Sequence, residues 1–226
     1  FFSSPTIYPP GAFGVKKYVI YNTIEGMTKP GRWYLDRTAG RLVYWPAEGE
    51  DMSKIKAIAP KVERIILIAG EKDKSVENIT IKGLRFEATT IPLKSAGFGG
   101  SAFDGAINMI NANNCRIENV EVANVGGAGI SAMQISGCSI VNNHVYNTGA
   151  CLVKFNGTDV LFSGNHIHNA GVYYPSSCAL YSGGSRNKIC RNEIHDAPYS
   201  GMIIGRSDLL IENNLIYRVM REIHDG

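Results

Sequence analysis

The sequence predicts an all-β fold, a parallel β-solenoid of about six coils preceded by a small β module. Three observations carry this. A six-residue phrase recurs through the second part of the chain, each copy alternates apolar and polar residues with a period of two, and Asn is concentrated where the phrase recurs. Of 18 Asn in 226 residues, all but Asn22 lie after residue 70.

The phrase begins as Ile81-Lys82-Gly83-Leu84-Arg85-Phe86 and returns as IENVEV from Ile117, IVNNHV from Ile140, FSGNHI from Phe162, ICRNEI from Ile189 and IENNLI from Ile211. Its last place falls at Phe86, Val122, Val145, Ile167, Ile194 and Ile216, at intervals of 36, 23, 22, 27 and 22. The first interval is lengthened by a Gly-rich insertion around Leu93 to Gly105. Coils of roughly 22–27 residues are too short for helix-pair repeats and lack a leucine-rich consensus. Short strands with no helical stretch between them cannot form βαβ crossovers, so successive units stack, each advancing roughly 4.8 Å.

Asn143, Asn165, Asn192 and Asn214 take the fourth place of four consecutive units, and Asn124, Asn147, Asn169 and Asp196 sit two residues after each phrase. Stacked amides satisfy turn backbone groups that burial would leave unpaired, so these positions are structural. A further strand begins behind a small residue in each coil, at Gly129-Ile130, Cys151-Leu152, Cys178-Ala179 and Gly201-Met202. Aligned there, Ser131, Val153, Leu180 and Ile203 point inward. Ala132, Lys154, Tyr181 and Ile204 point outward, followed by Gln134, Asn156, Gly183 and Arg206. Lys154, Asn156, Tyr181 and Arg206 are then expected to line one long outer wall.

Residues 1–61 read as the β-rich module, with Trp33–Asp36 and Arg41–Trp45 as strands around a turn at Ala39-Gly40, and 62–226 as the solenoid. The chain starts without Met and stops at Asp225-Gly226 within a repeat, which reads as a fragment whose last coil is open and inclined to edge-to-edge self-association.

Composition narrows the partners. A net charge of +3 with no basic run removes the footprint of a nucleic-acid binder, and no stretch reaches the roughly 20 apolar residues of a membrane span. Five Cys, with no CxxC and no His at zinc-finger spacing, read as buried thiols. No cofactor and no metal is expected. His168 and His195 align with Tyr146 and Tyr217, and His144 with His166, which stacking explains; a metal stays open as the alternative because His is the commonest ligand. Glu193, beside the His column, reads as a solvated face.

The runs GRWYLDRTAGRLVYWPAEGED, VENITIKGLRFEATT and NEIHDAPYSGMIIG resemble the right-handed parallel β-helix carbohydrate-active enzymes, glycoside hydrolase family 141 above all, over nearly the whole chain. The resemblance implies a right-handed coil, a secreted, periplasmic or cell-surface location, and an oligosaccharide or polysaccharide substrate. It also implies a catalytic Asp opening a D-G phrase, matched here by Asp225-Gly226, with His224 beside it and a second carboxylate one or two coils further on. Glycosidases need two carboxyl groups, about 5 Å apart for retention and roughly 6.5–9.5 Å for inversion. Adjacent or next-adjacent coils supply such spacings. The expected substrate-binding residues are Lys154, Asn156, Tyr181, Arg206 and His224. Two rivals remain. A polysaccharide lyase would use Lys154 or Arg206 as base, although the wall carries no acidic cluster for calcium. A non-catalytic glycan binder would hold sugar on Tyr181 and Asn156.

Overall fold

The computed structural model describes Ile20 and residues 22–223. The chain divides into two compact units, Phe1–Ala57 and Ile58–Gly226.

In the first unit, strands Trp33–Asp36 and Arg41–Tyr44 pair antiparallel, Trp33 opposite Tyr44 and Asp36 opposite Arg41. The turn has a local cause. Asp36 Oδ1 accepts the Ala39 N–H at 2.9 Å, and Gly40 takes the left-handed φ of 64° that closes the hairpin.

The second unit is three parallel sheets, each of six stacked rungs. The first sheet runs through Ile66–Ala69, Gly105–Asn113, Ala128–Ser136, Val153–Thr158, Leu180–Ser185 and Met202–Ile204, with Val76–Glu77 also paired to the second of these. The second holds Thr80–Lys82, Arg116–Glu118, Ser139–Val141, Leu161–Ser163, Lys188–Cys190 and Leu210–Glu212. The third holds Arg85–Glu87, Glu121–Val125, His144–Thr148, His166–His168, Glu193–His195 and Leu215–Tyr217. Each phrase of the sequence is therefore one strand of the second sheet, a tight turn, and one strand of the third.

Inward positions form apolar columns along the axis. Ile117, Ile140, Phe162 and Ile189 are in register in the second sheet, and Val122, Val145, Ile167 and Ile194 in the third. All eight are essentially inaccessible to solvent. Burying side chains of this size contributes about 1.5–3 kcal/mol each before chain entropy is subtracted.

The turn between these two sheets explains the abundance of Asn. Asn142, Gly164, Arg191 and Asn213 adopt left-handed φ of 55–67°, a region Asn and Gly reach most readily, and each precedes a ladder Asn. Asn165 N–H and Nδ2 donate to Asn192 Oδ1 at 2.9 and 3.0 Å, and Asn192 repeats this onto Asn214 Oδ1 at 3.0 and 2.8 Å. The second Asn column also forms, with Asn169 Nδ2 donating to Asn147 Oδ1 at 3.0 Å and Asn147 Nδ2 to Asn124 Oδ1 at 3.2 Å.

The first sheet corrects the expected register. Ser131 pairs with Lys154, Lys154 with Tyr181 and Tyr181 with Ile203, so Ser131 and Ile203 belong to the outward column. Ala132 pairs with Phe155 and lies in the core. The small-residue alignment sets Gly129 against Cys151, whereas the register, Ile130 opposite Val153, puts Leu152 across from Gly129. A Cβ on Gly129 would stand 2.5 Å from Val145 Cγ1, while Cys151 packs one position earlier with Ala128 and Cys178. Smallness is thus required at two adjacent positions, and sequence alone does not say which. Gln134 also leaves the expected column: it is the extra residue of a bulge, at φ 57°, with Met133 opposite Asn156 and Ile135 opposite Gly157.

Candidate functional site

The Gly-rich insertion around Leu93 to Gly105 folds over the outer face of the first sheet. Phe103 is fully buried and packs on Tyr174 at 4.5 Å, and the Tyr174 hydroxyl donates to the Pro92 carbonyl. Cys178 N–H donates to Gly99 O at 3.0 Å, and Lys154 Nζ to Ser101 O at 2.9 Å. Gly100 cannot carry a side chain, because a Cβ there would lie 2.1 Å from Ser177 Oγ.

The expected outer wall is therefore split in two. Lys154 is 8% exposed beneath the insertion, and Tyr181 is half-buried beside Gly99. Asn156 and Arg206 instead remain in an open depression of about 510 Å3, with Gln134, Thr158, Ser185 and Ser207. The open continuous wall is thus corrected, because an insertion with no periodic signal covers its first half. His224 and Asp225 lie outside the described residues.

Burial lowers the Lys154 ammonium's pKa, with the Asp104 charge opposing the shift only partly. In the same outward column, Asn108 is 1% exposed and neither side-chain polar atom has a partner. Sequence reasoning passed over Asn108, although its outward place follows from alternation within Gly105–Asn113. Near the open depression, Asp159 accepts both Arg186 Nε and NH2 at 2.8 and 2.7 Å. That fork holds the Asp159 carboxyl below its usual range, which suits an anchor and not a proton donor. Asp104 is ion-paired with Arg64 at 3.5 Å.

A second polar constellation occupies the outer face of the third sheet. One column runs Glu121, His144, His166, Glu193, and its neighbour Ala123, Tyr146, His168, His195, Tyr217. Rings stack along the axis: His144 on His166 at 4.8 Å and 6°, His168 on His195 at 4.8 Å and 6°, and His195 on Tyr217 at 4.7 Å and 19°. This matches the alignment expected from sequence. Burial lowers the pKa of His166 and takes that of His168 down to about 4, so both rings are uncharged at neutral pH. The Tyr217 hydroxyl donates to Glu193 Oε1 at 2.8 Å and holds that carboxyl below its usual range. Glu193 is thus not merely a solvated residue: it stands in register with His166.

Asp196, behind His195, accepts from Arg218 NH2 at 2.6 Å and Arg221 NH1 at 3.0 Å, and lies 2.7 Å from His195 Nδ1. Burial pushes its pKa up, but the hydrogen bonds from Arg218 and His195 outweigh this and keep it ionised. A depression of about 440 Å3 borders Asp196 and Arg221, whose charges are spent on each other.

Three sheets of in-register rungs, joined only by turns and one wall-covering insertion, constrain the fold to a parallel solenoid. A family model described as a right handed beta helix region matches residues 66–178 and, in a second overlapping match, 105–223. The chain belongs to the right-handed β-helix family. No curated protein and no solved structure matches it. A right-handed β-helix fixes side chains on flat outer walls at rung spacing, an arrangement shared by glycan-active enzymes and glycan binders, so the choice between those rests on the site residues.

Proposed function

We propose that the protein acts on glycans, holding an oligosaccharide or polysaccharide along the outer wall of the first sheet. The observation that carries this is the open depression, where the amides of Gln134 and Asn156, the hydroxyls of Thr158, Ser185 and Ser207 and the Arg206 guanidinium line one surface across successive rungs. Such groups donate to and accept from sugar hydroxyls without a large apolar pocket. Tyr181, half-buried at the insertion's edge, offers the aromatic face that sugars favour.

Hydrolysis is the proposed reaction, following the resemblance to glycoside hydrolase family 141. Asp225 is the proposed catalytic carboxyl, with the second carboxyl one or two coils beyond it, past Gly226, and His224 as a contact beside it. In this scheme one group protonates the leaving oxygen while the other attacks the anomeric carbon or activates water. A location outside the cytoplasm suits such a substrate.

One observation favours a second reading. Lys154 is buried with a lowered pKa, the direction a lysine base requires, and the unpartnered Asn108 stands two rungs away in the same outward column. On a uronate-containing polymer this would make the protein a lyase. The deciding experiment incubates the protein with aryl glycosides and with neutral and uronic-acid polysaccharides, following reducing ends and ultraviolet absorbance together. Hydrolysis raises reducing ends alone and falls to background in Asp225→Asn. Unsaturated product that disappears in Lys154→Met establishes the lyase instead. Saccharide binding without turnover by either measure leaves a glycan binder.

A further inference from the structure

Two kinds of contact join the imidazoles of the third sheet, and stacking accounts for only one. Along the axis the rings lie face to face, as the flanking tyrosines do. Across the furrow between the columns, nitrogens meet diagonally: His144 Nε2 lies 3.0 Å from His168 Nε2, and His166 Nε2 lies 2.9 Å from His195 Nε2. A stacked ring gains nothing from turning its nitrogen edge toward the next column. Such a contact needs either a proton shared between two opposite tautomers or a cation between two lone pairs.

The lower pair has further parts of a metal site. Glu193 is in register with His166, and the ligand atoms of His166, Glu193 and His195 lie within 4.8 Å of one another. His195 is oriented from behind, its Nδ1 2.7 Å from an Asp196 carboxylate that two arginines hold ionised. Nδ1 therefore carries the proton and Nε2 presents a lone pair to the furrow, the carboxylate–histidine arrangement that supports a bound cation.

We propose that His166 Nε2, His195 Nε2 and the Glu193 carboxylate hold one divalent transition-metal ion of the zinc class on the outer face of the third sheet. His144 and His168 form a second imidazole pair directly beside it. The ligand set selects the ion, since imidazole nitrogens with one carboxylate suit zinc, copper or nickel, whereas calcium and magnesium require oxygen ligands. The geometry is close to that required. Zinc–nitrogen bonds of about 2.0–2.1 Å at tetrahedral angles put two nitrogens about 3.3 Å apart, so the His166 and His195 rings need only part slightly. His166 belongs to both triads of ligands, with His144 and His168 on one side and Glu193 and His195 on the other, so one tight ion is expected per chain. As the ion enters, the His166 proton moves through solvent from Nε2 to Nδ1, so both rings stay neutral and both Nε2 lone pairs face the ion. The site is on a different sheet from the proposed glycan wall and does not depend on that reading.

The test is titration of chelator-treated full chain with Zn2+ against a chromophoric competitor, with Ca2+ and Mg2+ as controls, together with 15N NMR of the histidine side chains. The expected result is one equivalent bound, unaffected by excess Ca2+ or Mg2+, with the Nε2 signals of His166 and His195 shifting. His166→Gln and His195→Gln should each weaken Zn2+ by at least about 100-fold, and Asp196→Asn by about 10–100-fold. If a variant does not fold, the NMR shifts on the unmodified chain decide. Zinc affinity equal in the folded variants and the parent, or NMR shifts confined to His144 and His168, overturns the proposal.

Discussion

Asn165 Oδ1 accepts two hydrogen bonds from Asn143, one from the backbone N–H and one from Nδ2, both at 3.0 Å. Each ladder Asn thereby closes the turn of the coil before it, while its own Nδ2 also reaches a carbonyl one rung back, as Asn165 does to Ile140 O at 2.9 Å. The amide is not decoration on the turn but its hydrogen-bond partner.

Asn165→Ala is expected to destabilise by roughly 2–4 kcal/mol, because it leaves the buried Asn143 N–H without its acceptor and removes the Asn165 Nδ2 bonds to Asn192 and the Ile140 carbonyl. Urea unfolding with an unchanged m-value measures it. A loss under about 0.5 kcal/mol would show that water replaces the ladder.

Coil spacing sets a second expectation. A Cβ on Gly157 would stand 2.3 Å from the Ile135 carbonyl oxygen of the neighbouring rung, whereas one on Gly205 would meet nothing within 4 Å. Gly157→Ala should cost about 3 kcal/mol or more, and Gly205→Ala less than about 0.5 kcal/mol, read from thermal midpoints of the two variants.

All five cysteines are free and buried. Burial pushes the Cys151 thiol up to about 12 and that of Cys178 upward as well. No thiol of the native chain should therefore react quickly with a thiol-specific chromogenic reagent at pH 8, and all five should appear in denaturant. Fast reaction of Cys151 in the native chain would contradict the packing of the insertion against the first sheet.

Lys154 gives stability a defined pH dependence. Its pKa when folded is below the unfolded 10.5, so between those values the unfolded chain binds more protons and stability rises with pH. Lys154→Met removes the buried charge, and its advantage over the parent should be greatest near neutral pH and shrink toward pH 10. Paired urea titrations across this range check it; a difference that is flat or widens with pH is the contrary result.

The phrase repeat made the second and third sheets legible, because Asn143, Asn165, Asn192 and Asn214 mark the turn while Ile140 and Val145 mark the strands on either side. Legibility failed in the first sheet for physical reasons. Small residues at two consecutive positions, Gly129 and Cys151 being the example, blurred the register by one, and the bulge at Gln134 added a residue that alternation does not count. The insertion's cover over Lys154 and Tyr181 depends on contacts such as Gly99 to Cys178, which have no periodic signature. The histidine columns were visible, and so was a sign that went unused: Glu193 and His166 share the fifth place of the phrase, which puts a carboxylate one rung from an imidazole. The diagonal nitrogen contacts depend on ring rotation, which register alone does not determine.

Both the glycan wall and the imidazole furrow rest on residues some 22–29 apart in sequence standing side by side, one rung apart. The most direct measurement uses Lys188 and Leu210, paired across adjacent rungs on the exposed face of the second sheet. A rung spacing near 4.8 Å lies within disulfide range, so Lys188→Cys/Leu210→Cys should cross-link quantitatively under mild oxidation, read as the loss of two thiols by mass and reagent titration. Failure of that pair to cross-link, while the offset pair Lys188→Cys/Glu212→Cys does so, would contradict the register on which both sites depend.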